Sequence, residues 1–157
     1  LGTLGVMTGG VGVANAGGIG TLVSYGAITG TSGAAIDNQG TLVALGNAGT
    51  MTGATSGLHN SGTVALFVNI GEVSGGGIGI DNSGVLGTVF AQAGTIAGGT
   101  IGVRNTGTIA LLANSGLLSG PTALYNGAGA TLGTILNAGT ISGNIVNLST
   151  GDLVIAG

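Results

Sequence analysis

Apolar side chains return along this chain on two scales: every second residue within short runs, and every 21 to 23 residues over its whole length. Runs such as Thr50-Met51-Thr52 and Thr95-Ile96-Ala97 alternate polar or small residues with one large apolar residue. Successive side chains of a strand point to opposite faces, so this period of two predicts short, half-buried strands. No 3.6-residue helical period competes with it.

The longer period is set by asparagine. Asn15, Asn38, Asn60, Asn82, Asn105, Asn126 and Asn147 are separated by 23, 22, 22, 23, 21 and 21 residues. Four of them open the phrases "NQGTL" at 38, "NSGTV" at 60, "NSGVL" at 82 and "NTGTI" at 105. A second phrase follows in each unit: "SYGAI" at 24, "NAGTM" at 47, "NIGEV" at 69, "QAGTI" at 92, "NSGLL" at 114 and "NAGTI" at 137. Each unit thus holds two polar-x-Gly corners, and the apolar residue ahead of the next asparagine marks a third side.

Stacked on these phrases, the apolar positions form three columns. One is Ile19, Leu42, Val64, Leu86, Ile109 and Leu132; a second is Met7, Ile28, Met51, Val73, Ile96, Leu118 and Ile141. The third lies two residues before each ladder asparagine: Val13, Ile36, Leu58, Ile80, Val103, Leu124 and Ile145. The expected fold is all-β, a three-sided parallel β-solenoid of about seven coils of 21–23 residues, forming one domain over 1–157. Strand pairing at ~4.8 Å per coil gives a rise of ~30–35 Å along the axis. Glycine is expected at the corners because it accepts positive φ, and the asparagines are expected to tolerate left-handed backbone and to pass amide hydrogen bonds between coils. Two irregularities, "NGAGATL" after Asn126 and Pro121 after "LLSG", are expected at corners.

Composition narrows the function classes. The chain has 38 glycines among 157 residues and 3% charged residues, with a net charge of −3. The charged residues are Asp37, Glu72, Asp81, Arg104 and Asp152, and lysine is absent. A nucleic-acid binder must neutralise several phosphates, which one arginine cannot do, so nucleic acid is excluded as a partner. Without cysteine there is no disulfide framework or thiolate metal site. The longest strongly apolar run, Val64-Ala65-Leu66-Phe67-Val68, is far short of the ~20 residues of a spanning helix, so no transmembrane span is expected in this segment. The mean hydropathy of +0.70 is therefore assigned to a buried interior.

Candidate chemistry is sparse. The residue before each ladder asparagine is Ala14, Asp37, His59, Asp81, Arg104, Tyr125 or Val146. With Ile80 and its equivalents pointing inward, these side chains form an outward column in which Asp37, His59, Asp81 and Arg104 stack one coil apart, with Asp81 facing Arg104. Asp37 and Asp81, two coils and ~9.6 Å apart, fall near the upper limit for the carboxylate pair of an inverting glycosidase. The competing reading is a solvated ladder of alternating sign, each pair contributing about 0–1 kcal/mol. His59 is the single histidine, so no metal triad or Cys-His pair can be assembled. The chain is read as non-enzymatic, with no catalytic, cofactor-binding or metal residues and no cofactor.

Two further patterns bear on function. "GGIGIDNSG" at 76–84 is close to the calcium nonapeptide, but it has no tandem neighbour and recurs at 22 residues instead of nine. It reads as a corner at Gly76-Gly77 followed by a strand with Ile78 and Ile80 directed to the core. The second strand presents Ala27 and Thr29, Thr50 and Thr52, Glu72 and Ser74, Thr95 and Ala97, Leu117 and Ser119, Thr140 and Ser142 outward. Such an array of hydroxyls and methyls is an alternative ice- or surface-binding face, interrupted by Glu72 and Leu117.

The phrases "NSGTV…NIGEVSG", "NTGTIALLANSGLLSG" and "LNAGTISGNIVN" resemble the passenger regions of bacterial autotransporters and related surface adhesins, whose right-handed parallel β-helices carry degenerate N-x-G-T-I-x-G units. The likeness covers essentially the whole chain. It implies a right-handed solenoid, a fragment of a longer exported protein, displayed extracellularly or on the outer membrane of a bacterial cell. The expected role is structural or adhesive: self-association into an oligomer or fibre, or binding of a host or cell-surface ligand. The alternatives are a polysaccharide-cleaving β-helix enzyme using Asp37 and Asp81, or the ice-binding face.

Overall fold

The computed structural model describes residues 2–3, 5–91 and 93–157, and none of them is helical. The repeat winds into a parallel β-solenoid of about seven coils; the middle coils are built from three strands, such as Thr41–Asn47, Thr50–Gly53 and Ser56–Asn60, and in the last two the second and third strands run on as one, Leu117–Asn126 and Thr140–Asn147. The first strands of successive coils form an eight-stranded sheet; the second and third strands share a twelve-stranded sheet. Every pairing is parallel and joins a coil to the next at the register the asparagines predict.

All three apolar columns lie where the repeat places them. The Ile19-to-Leu132 column pairs coil by coil on the eight-stranded sheet. The Met7-to-Ile141 and Val13-to-Ile145 columns do so on the twelve-stranded sheet. Their members are buried in the middle coils, whereas Ile145 is 38% exposed in the last full coil.

A fourth column completes the core: Leu22, Leu45, Phe67, Val89, Leu112 and Ile135, all buried. It lies three residues after the first column, an odd spacing that a regular strand cannot direct to one face. The ladder skips the residue between them, Val43, Ala65, Gly87 or Ala110, so the backbone turns there and the alternation restarts. The same skip at Gly79 corrects one expectation. Ile80 is buried in the core, but Ile78 lies outside it, half-buried on the outer surface.

The corner glycines also differ from expectation in their reason. Positive φ occurs among the described residues only at Gly120, Gly129, Gly143 and Ala93. Gly129, at φ +76° in the "NGAGATL" insertion, is there for its conformation, with open space around it. Gly62 is there for proximity: a Cβ would run into the carbonyl oxygen of Gly40 one coil away. Coils at strand spacing leave no room for a methyl at that bend, so Gly62→Ala should cost about 1–3 kcal/mol through forced separation of the coils. A lowered thermal midpoint with retained β circular dichroism checks this.

Of the two irregularities, "NGAGATL" falls at a bend as expected, whereas Pro121 lies within a continuous strand at a break in its pairing. Residues 127–130 separate the strands Leu117–Asn126 and Thr131–Asn137, and Pro121 sits where the pairing of Leu117–Asn126 with Thr140–Asn147 shifts register.

Candidate functional site

The asparagines hold the candidate site in place from below. Each ladder residue donates its side-chain amide to the next one's oxygen, Asn15 to Asn38 at 2.7 Å and onward without a gap to Asn147 at 2.8 Å. The same amides reach backbone carbonyls of the following corner, for example Asn60 Nδ2 to Val85 O at 3.1 Å and Asn82 Nδ2 to Thr108 O at 3.0 Å. These asparagines are inward and, up to Asn126, buried; none has positive φ, so they act as amide ladders and not as left-handed corner residues.

A second ladder runs through the other phrase, with Asn47 donating to Asn69 at 2.8 Å and Asn114 to Asn137 at 2.9 Å. The phrase alignment puts Gln92 between them, and that residue lies outside the described residues. The register instead sets buried Ala91 opposite both Asn69 and Asn114. Among the described residues Asn114 Oδ1 is left as a buried acceptor without a donor. Ala91→Asn restores an amide like those of Asn47, Asn69, Asn114 and Asn137, and should stabilise the fold by about 1 kcal/mol. Thermal unfolding checks this; a lower midpoint would contradict it.

One residue beyond the core column, the predicted outward column is present: Ala14, Asp37, His59, Asp81, Arg104, Tyr125 and Val146 stack in register. It resolves into two pairs. Arg104 Nε and Nη2 each donate to one oxygen of Asp81 at 2.8 Å. His59 Nδ1 lies 2.8 Å from Asp37 Oδ1, and Gln39 Nε2 donates to Asp37 Oδ2 at 3.0 Å. A carboxylate only accepts, so the His59 proton in that bond is on Nδ1. The guanidinium pKa of Arg104 is raised, first by its hydrogen bonds to Asp81, against the burial that lowers it. A raised cationic pKa adds stability that is lost only as pH rises through it, so Arg104 stays charged over the working range.

Chain comparison with family models, curated proteins and solved structures returns no match. Chemistry at the column must therefore be judged from its own geometry.

Asp37, His59 and Asp81 line one side of an open cleft of 340 Å³. Thr55 and Ser56 add hydroxyls, and Val11, Ala34 and Ile78 supply apolar wall. The wall has a local cause. Five residues, 31–35, connect Gly30 to Ile36, where the next coil uses four, 54–57. The longer connection is pinned back onto the preceding coil by Thr31 N–H to Gly9 O at 2.8 Å and Gly33 N–H to Gly10 O at 2.7 Å. Sequence reasoning places the polar column but misses this cleft, because its wall depends on one extra residue and on Ile78 facing outward.

Geometrically, the cleft offers a few oxygen acceptors and one imidazole beside small apolar patches. Among the described residues no cluster of three or more His, Cys, Asp or Glu could hold a metal ion. The hydroxyl and methyl face also stacks as predicted, Thr50 on Glu72 and Thr52 on Ser74, with the last two hydroxyls 3.2 Å apart.

Proposed function

We propose that this chain is a structural and adhesive segment of an exported, surface-displayed protein of the autotransporter-passenger type, acting through association of its long faces with other copies or with a cell-surface ligand. The observation that carries this reading is the distribution of charge. Asp37, Asp81 and Arg104 gather in one column of the twelve-stranded sheet, while the strands of the eight-stranded sheet carry no charged residue. Large neutral faces lack the like-charge repulsion that keeps soluble proteins apart. Near-constant coils supply rigidity and length, the properties a stalk or adhesive rod needs.

The cleft favours a second reading, a glycan-cleaving site using Asp37 and Asp81. Against it, both oxygens of Asp81 are engaged by Arg104 and both of Asp37 by His59 and Gln39. An acid and a base for glycoside cleavage must be available to the glycosidic oxygen and to water.

Displaying the chain on a bacterium that does not clump separates the two. The structural reading expects cell clumping or attachment that survives Asp37→Asn and Asp81→Asn. Dispersed cells, together with polysaccharide cleavage abolished by either substitution, would overturn it.

A further inference from the structure

We infer that the outer face of the eight-stranded sheet is a self-association surface, on which a second copy of this chain packs with its coils in reverse order about a two-fold axis through Phe90. This rests on the self-association part of the reading above and assigns it a face and a geometry.

The face is built from residues that alternate with the fourth core column. Leu22, Leu45, Phe67 and their equivalents point inward, so the residues on either side of them point out. The row after them reads Val23, Gly46, Val68, Phe90, Ala113, Leu136, Ala156, in register from coil to coil. The row before them reads Thr21, Ala44, Leu66, Thr88, Leu111, Thr134, Val154. No charge interrupts either row, and on the face and at its corner Tyr25, Ile70, Leu136 and Val154 are 59%, 56%, 43% and 52% exposed.

Relief along the first row specifies the occupant. The small residues Gly46 and Ala113 leave two hollows. One of 130 Å³ is bounded by Val23, Tyr25, Val68 and Ile70; another of 280 Å³ is bounded by Phe90 and Leu136. Consider a two-fold axis lying along the strands between two facing copies. It keeps each row opposite itself and reverses the coil order, so an axis at Phe90 sets Phe90 on Phe90. Val68 then faces the Ala113 hollow, Leu136 faces the Gly46 hollow, and Val23 faces Ala156. At the corner, Ile70 faces Ser115 and Ala48 faces Ala138. Each large residue of that row meets a small one, and the exception is an aromatic pair on the axis, where offset stacking is favourable. In the neighbouring row the same axis sets Thr88 on Thr88 and brings Leu66 against Leu111, an apolar pair on either side of it; a row that is its own complement under a two-fold axis is what an isologous dimer requires.

The size is sufficient. Seven strands at ~4.8 Å by about five residues at ~3.3 Å give on the order of 500 Å² per copy. Two copies together reach about 1,000 Å², the lower bound for a specific interface. The absence of charge means that no unpaired ion is buried when the sheets close.

The test combines sedimentation velocity with cross-linking, which is clean because the chain has no cysteine of its own. Thr88→Cys places a thiol on the axis, and Thr52→Cys places one on the twelve-stranded sheet. A short bismaleimide should give covalent dimer from Thr88→Cys and little from Thr52→Cys. A Cβ at Gly46 meets nothing closer than ordinary van der Waals approach to Val23, so Gly46→Leu directs its side chain into the hollow without a clash at the backbone; retained β circular dichroism checks that the coil is intact. It should weaken dimerisation at least tenfold, and adding Leu136→Gly should restore it. Association with cross-linking only through Thr52→Cys would overturn this face while leaving self-association standing. A wild-type chain monomeric at all concentrations would overturn both. Phe90→Asp, with its β circular dichroism retained, should be monomeric; a dimer of undiminished affinity would also overturn the proposal.

Discussion

Ile96→Asp should abolish cooperative folding at ambient temperature or come close to it. Ile96 is fully buried between Val73 and Leu118, in an interior whose neighbours are aliphatic. A carboxylate there has no donor, and burying an unpaired charge costs several kcal/mol in addition to the apolar packing that the isoleucine provides. About 4–5 kcal/mol is a large share of the ~5–15 kcal/mol that holds a domain together. Asp81→Ala supplies the contrast. It removes a two-pronged ion pair, but Arg104 is 40% exposed and regains water, so the loss should stay below about 1 kcal/mol. Thermal unfolding of both variants decides it. An unchanged Ile96→Asp beside a collapsed Asp81→Ala would invert the assignment of inside and outside.

Asn82→Asp should be nearly as damaging, although it preserves side-chain shape. Asn82 accepts from Asn60 and donates to Asn105 Oδ1, Thr108 O and Gly84 O from a fully buried position. Aspartate keeps the acceptor and loses both donors. Three oxygens then face a buried carboxylate, and at about 1–3 kcal/mol per unsatisfied buried group the loss should reach at least ~3 kcal/mol. Asn15→Asp, at the first rung and with one ladder neighbour, should cost distinctly less. Equal losses at the two positions, measured by denaturant unfolding, would show that the ladder does not act as a chain of bonds.

Much of this is legible in the sequence because each coil repeats one environment. Seven asparagines at near-constant spacing specify the register, and the register specifies which side chains stack, including Asp81 on Arg104. What is not legible depends on where alternation restarts. Leu42 and Leu45 both point inward because the backbone turns between them, and a strict period of two assigns one of them to the surface. The same rule sends Ile78 to the core, whereas it lines the cleft. The corner glycines are correctly located for the wrong reason at most positions, since a clash with a neighbouring coil cannot be seen within one unit of sequence. Around Gln92, a phrase alignment cannot distinguish a substituted ladder residue from an inserted one; pairing of Ala91 with Asn69 and Asn114 settles which residue occupies the rung.

The function proposed rests on a rod whose neutral faces associate. Electron microscopy of the purified chain over a range of concentrations tests that most directly. Paired or laterally bundled rods, increasing with concentration and insensitive to Asp37→Asn, are the predicted result. Single, monodisperse particles at every concentration would contradict it.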